Sequence, residues 1–253
     1  MELWTSAHAK SLPPALLVML ILCIILRKVL GKQELRIRMI PMQIIAVILL
    51  LLEIGKQAVS LSRGYDLYHI PLHFCSLFLF ATPAMAFYKG KYLKQVCSVT
   101  TALCGATFWL ILIYPNLIYS GGNVERFFID YLDFHTVAFH NLVMLAYLLI
   151  LFLDLHSPAK KGETKVIVLF LTVFCAIAAI VSQLLQTNYA GFYSCNVPFV
   201  EQIRLSLQPI LGYAPTQLIY IAGLTLVHYG FVLAFYQIYK GLHKLLCRST
   251  TVV

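Results

Sequence analysis

Read along its length, the chain is a succession of apolar runs, each near the roughly 20 residues a helix needs to cross hydrocarbon. Short segments holding charge, proline or glycine separate them. Seven runs stand out: 12–26, 39–59, 69–88, 96–114, 133–153, 166–185 and 215–239. The pattern predicts an all-α membrane protein, a single seven-helix bundle over 1–253. The first run lacks a basic segment before it and a small-residue cleavage site after it, so it is expected to be a retained span.

Basic residues orient these spans, because cytoplasmic flanks carry the excess of Lys and Arg. One side receives Arg27, Lys28, Lys32, Arg36, Arg38, Lys89, Lys91, Lys94, Lys160, Lys161, Lys165, Lys240, Lys244 and Arg248. The other receives only Lys10, Lys56, Arg63, Arg126 and Arg204. The split predicts an outer N-terminus and a cytoplasmic C-terminus, as in a multi-pass plasma-membrane protein. Glu2, Asp66, Glu125, Asp130, Asp133 and Glu201 lean to the outer side. The longer outer connections, 113–132 with Gly121-Gly122 and 187–214, carry aromatics suited to the interface. Within the latter, 200–210 reads as a short interfacial helix with Glu201 and Arg204 at i,i+3.

Composition agrees: 60% of the 253 residues are hydrophobic and 11% charged, against about 45–50% and 25% in a soluble domain. The net charge of +9 comes in clusters between apolar runs, which excludes a nucleic-acid-binding stripe. Seven cysteines without CxxC spacing indicate neither a disulfide framework nor a zinc ribbon.

The informative residues are the polar ones inside spans, which are expensive there and mark function by default. His69, His73, Cys75 and Ser76 open the third run, and Asp133, His135, Thr136 and His140 open the fifth. The sixth leaves at Asn188 and Tyr189, and the second passes Glu53 and Lys56, so four helices place polar groups at one membrane level. On regular helices His69, His73 and Ser76 share one stripe, and Asp133, Thr136 and His140 another. The latter sets a carboxylate where it can bias the His140 tautomer. His69 and His135 can instead simply reach the headgroups, and His228, deep in the last span, can serve an interhelical hydrogen bond. Cys23, Cys97, Cys104 and Cys175 read as packing residues. Histidine and cysteine suit zinc, but His73/Cys75 and His135/His140 are spaced so that neither pair shares a face, and no metal or other cofactor is expected.

The ordered set of Pro71-Leu72-His73-Phe74-Cys75-Ser76, the His135–His140 segment, and Asn188-Tyr189 with Pro198 resembles the YwaF family of bacterial integral membrane proteins over nearly the whole chain. That family is similar to vertebrate multispan acyltransferases acting on ether phospholipids, which implies lipid acyl chemistry and a membrane phospholipid as partner. In those enzymes a proposed nucleophilic Cys directly precedes the His of the third span; here Leu72 stands at that position before His73. Cys195, His140 and His228 in His228-Tyr229-Gly230 also resemble residues of those relatives. Together with the polar cluster, the resemblance implies an outer-leaflet phospholipid acyltransferase or hydrolase with His140, supported by Asp133, as base and Cys75, Ser76, Thr136 or the acceptor hydroxyl as nucleophile. In that scheme His73 donates to the oxyanion or leaving group. The alternative is a small-solute or proton transporter using the same histidines as a relay.

Overall fold

The computed structural model describes residues 3–119, 122–159, 162–195 and 197–247. Glu2, Gly121, Lys160, Lys161 and Arg248, which entered the charge and loop readings, lie outside the described residues. Among those described the secondary structure is entirely helical. The elements are α1 (Ser6–Leu30), α2 (Leu35–Arg38), α3 (Ile40–Ser62), α4 (Phe78–Phe87), α5 (Leu93–Ile113), α6 (Tyr131–Phe152), α7 (Glu163–Leu185), α8 (Pro198–Leu211) and α9 (Tyr213–Cys247). Among the described residues six helices are long and apolar enough to cross a membrane: α1, α3 with its α2 lead-in, α5, α6, α7 and α9.

The third run differs from expectation. Instead of one helix over 69–88 there are two 3-10 turns, Leu67–His69 and Phe74–Leu77, and then the ten-residue α4. Pro71 is the cause: it has no N–H to donate and pushes the preceding residue out of the helical region, and Ile70 is indeed extended at ψ 131°. His69, His73 and Ser76 therefore do not form a helical stripe, and Phe74–Phe87 is a shorter apolar helix.

At the centre lies α5, buried without interruption from Cys97 to Phe108 and packed against α4, α6, α7 and α9. Its Ser, Thr, Ala and Gly residues let neighbouring backbones approach, the usual device where hydrophobic association is unavailable between helices in lipid. A Cβ at Gly105 would stand 2.9 Å from the Tyr147 ring, so this close crossing of α5 and α6 needs glycine. Helix α1 leans on α6, and α3 lies between α4 and α6. Large aliphatic side chains such as Leu17, Val18, Leu51, Ile54, Leu169 and Leu226 cover the outside, as expected of surfaces solvated by lipid. Helix α8 has no buried residue; Glu201 and Arg204 pair at 2.6 Å as their spacing predicts, and Arg204 also reaches Gln217 of α9.

Candidate active-site cavity

Between α3, the 67–77 segment, α5, α6 and α9 lies a cavity of about 610 Å³. Its walls include Glu53, Lys56, His69, His73, Cys75, Ser76, Asn123, His135, Thr136, His140, Asn188, Cys195 and His228. Eleven of the residues picked out from the sequence as candidates thus meet there: Glu53, His69, His73, Cys75, Ser76, His135, Thr136, His140, Asn188, Cys195 and His228. Asp133 and Tyr189 stand behind the wall.

The irregular third segment is held to α3 by side chains. The amide of Gln57 donates to the His69 carbonyl at 2.8 Å, and the Ser60 hydroxyl meets His69 Nδ1 at 2.6 Å. From the other side Tyr189 donates to the Leu67 carbonyl and lays its ring 5.5 Å from that of His73. The Asn188 side chain accepts from the backbone N–H of Tyr193 and Ser194, so it shapes the loop that closes this end.

Backbone carbonyls set the histidine tautomers, because a carbonyl only accepts and the facing ring nitrogen must carry the proton. His140 Nδ1 lies 2.6 Å from the Thr136 carbonyl and His228 Nδ1 lies 2.8 Å from that of Leu224. Both rings are thereby left with Nε2 as a free acceptor. His73 is reversed: Nε2 donates to the Tyr68 carbonyl at 2.8 Å, leaving Nδ1 as the acceptor. For His73 to donate to an oxyanion or leaving group, as its expected role requires, it would have to use a ring proton that the Tyr68 carbonyl engages here, or gain a second one on Nδ1.

Asp133 does not orient His140. Its carboxylate takes Arg126 at 2.8 Å and Asn123 at 2.6 Å, both from the 113–132 connection. His140, seven residues on and about 10 Å along the axis, finds its partner in Thr136 four residues before it. The Thr136 hydroxyl is itself bonded back to the Leu132 carbonyl. Asp133 fixes Asn123 in the wall instead. His135 is no headgroup-facing residue: it is buried, with Nε2 3.3 Å from the Glu53 carboxylate. Glu53 also accepts from Gln57 at 2.6 Å and pairs with Lys56 at 3.2 Å. Sequence reading set Lys56 beside Glu53 at this level without assigning it to the site, and it missed Asn123 as a wall residue.

The opposite part of the cavity is apolar, walled by Leu110, Ile118, Phe139, Leu224, Val227 and Phe231. Val227 is 63% exposed, so the cavity opens sideways there onto the apolar outside of α9. Below it the rings of Phe108, Trp109 and Tyr147 pack against one another, with Tyr236 and Tyr239 fully buried beneath. Among the described residues no cluster of three or more His, Cys, Asp or Glu side chains could hold a metal ion.

No curated protein and no solved structure matches the chain. The profile of the TMEM164 family matches residues 3–238, and with its apolar helices the chain, a multi-pass membrane protein, belongs to the TMEM164 family.

Proposed function

We propose that this protein is an intramembrane enzyme that transfers or hydrolyses a phospholipid acyl group, with His140 as general base. The observation that carries the reading is the two-ended cavity. One end gathers histidines with free acceptor nitrogens, and the other is apolar and opens sideways at Val227, as a substrate arriving from the bilayer requires. A transport path would need to continue past the Phe108, Trp109 and Tyr147 rings, where the helices are closely packed.

In this scheme His140 Nε2 takes the proton of an acceptor hydroxyl, or of water, as that oxygen attacks the ester carbonyl. The tetrahedral intermediate collapses, and the imidazolium returns the proton to the departing alkoxide. The Thr136 carbonyl stabilises the imidazolium, since Nδ1–H stays bonded throughout. Exclusion of water strengthens every charge interaction at the carbonyl. Cys75 lines the same cavity and is the competing nucleophile; the resemblance to the YwaF family and to ether-phospholipid acyltransferases supports lipid acyl chemistry in either case. The accompanying topology is seven crossings in the plasma membrane. The 67–87 segment, half irregular and half helix, forms the third, and the histidine-rich end faces outward as the basic residues direct.

Purified protein in vesicles of isotope-labelled phosphatidylcholine with a lysophospholipid acceptor tests the activity. Labelled acyl chains in the acceptor or released as fatty acid are expected by mass spectrometry. Neither product, from protein shown to be folded, would refute the reading.

A further inference from the structure

The polar end of the cavity is unevenly equipped with hydrogen-bond donors. Lys56 sits six residues before the end of α3, about 9 Å along the axis, with 13% of its side chain exposed. Its ammonium carries three N–H groups, and its hydrogen bonds run to one carboxylate, that of Glu53, at 3.2 and 3.5 Å. Lining the same cavity, Asn123 uses one N–H on Asp133 and, among the described residues, keeps a second.

Glu53 does not depend on Lys56 alone, because Gln57 donates to it at 2.6 Å and His135 stands 3.3 Å away. Lys56 can therefore turn part of its donor set to a ligand while the carboxylate stays solvated by the protein. Lys56 lines the same cavity as His69, His73 and His140.

We infer that Lys56, with the Asn123 amide, forms an anion subsite that holds the phosphate of a phospholipid and so fixes which way the lipid lies. An enclosed ammonium, 13% exposed, at the polar end of a low-dielectric cavity discriminates strongly for an anionic group. The phosphate at Lys56 and the chain toward Phe139, Val227 and Phe231 leave the glycerol and its ester between them, alongside His140. The inference rests on the lipid reading above but concerns binding, so it can be tested without turnover.

The experiment is native mass spectrometry of the full chain in detergent, titrated with three probes of one chain length: lysophosphatidylcholine, monoacylglycerol and the free fatty acid. The wild type is expected to retain lysophosphatidylcholine more tightly than monoacylglycerol. Lys56→Gln should weaken the phosphate-bearing lipid about ten-fold or more, the scale of one charged hydrogen bond, and leave monoacylglycerol unchanged. Lys56→Arg should keep most of the preference. Because Lys56→Gln leaves Glu53 without its cation, the double variant Glu53→Gln/Lys56→Gln is measured beside it and should show the same selective loss. Equal retention of phosphate-bearing and neutral lipids, or a Lys56→Gln variant that binds lysophosphatidylcholine as the wild type does, overturns the subsite. Lys56-dependent binding of the fatty acid alone also overturns it, since the ammonium would then serve a carboxylate. Selective binding in a protein without acyl turnover would uphold the subsite and refute the enzyme.

Discussion

Glu163 is a buried acid, and its partners assign it to stability and not to chemistry. It opens α7 at the end of the bundle opposite the cavity and is 8% exposed. Its carboxylate accepts from the Ala159 backbone at 2.8 Å, the Tyr236 hydroxyl at 2.7 Å and the Ser98 hydroxyl at 3.0 Å. One side chain thereby joins the α6–α7 connection, α9 and α5. Replacing it by Ala removes a buried, hydrogen-bonded charge and strands the donors aimed at it, a cost of about 3–5 kcal/mol. Tyr236 keeps His156, 3.1 Å away, and Ser98 keeps the Lys94 carbonyl, which argues for the lower half of that range. At about 2–4 °C per kcal/mol for a chain of this size, Tm should fall by about 6–16 °C. Glu163→Gln retains one acceptor and should fall about half as far. The assay is thermal unfolding of the detergent-solubilised protein followed by tyrosine and tryptophan fluorescence, paired with acyl turnover per folded molecule. A Glu163→Ala variant with Tm unchanged within about 2 °C, or one of normal Tm that has lost turnover, would refute this assignment.

Other outcomes are as specific. In a Cys195→Ser background, Phe128→Cys, 95% exposed before α6, should react with an impermeant maleimide on intact cells, and Lys91→Cys only after permeabilisation; the reverse pattern would invert the orientation. The Arg204 hydrogen bonds hold the Glu201 carboxyl below its ordinary value, and Arg63 does the same for Asp130. Folding is therefore favoured by both groups above the carboxylate range, and this stabilisation is lost as pH falls through their lowered values. Tm should accordingly drop below about pH 4, with a shallower drop in Glu201→Gln when the two proteins are scanned side by side. At Gly55 an added Cβ would stand 2.1 Å from the Tyr131 hydroxyl, so Gly55→Ala should cost about 1–3 kcal/mol, read as a lowered Tm.

The long apolar runs made six of the spans legible, since 20-odd such residues have few soluble alternatives. The third was misread because hydropathy ignores backbone. Pro71 breaks the helix that the run 69–88 suggests, and only tertiary bonds from Gln57, Ser60 and Tyr189 decide the path taken. Convergence of polar groups at one level was readable from their depth in each span. The pairing among them was not: Asp133 has Arg126 and Asn123 because the 113–132 connection folds back over α6, a contact with no periodic trace. Likewise His135, placed off the His140 face by helical spacing, is buried because α3 brings Glu53 to it. Glu163, just before the sixth run, carried no signal of its own, because the donors that close around it come from Ala159, Ser98 and Tyr236 on three different elements.

The central claim is that His140, with its proton held on Nδ1 by the Thr136 carbonyl, is the base of an acyl reaction in this cavity. Acyl turnover by His140→Ala and Cys75→Ala, each confirmed folded by its Tm, tests it most directly. The account predicts a loss of about 100-fold or more for His140→Ala and a mild effect for Cys75→Ala. Turnover abolished by Cys75→Ala and retained in His140→Ala would contradict it.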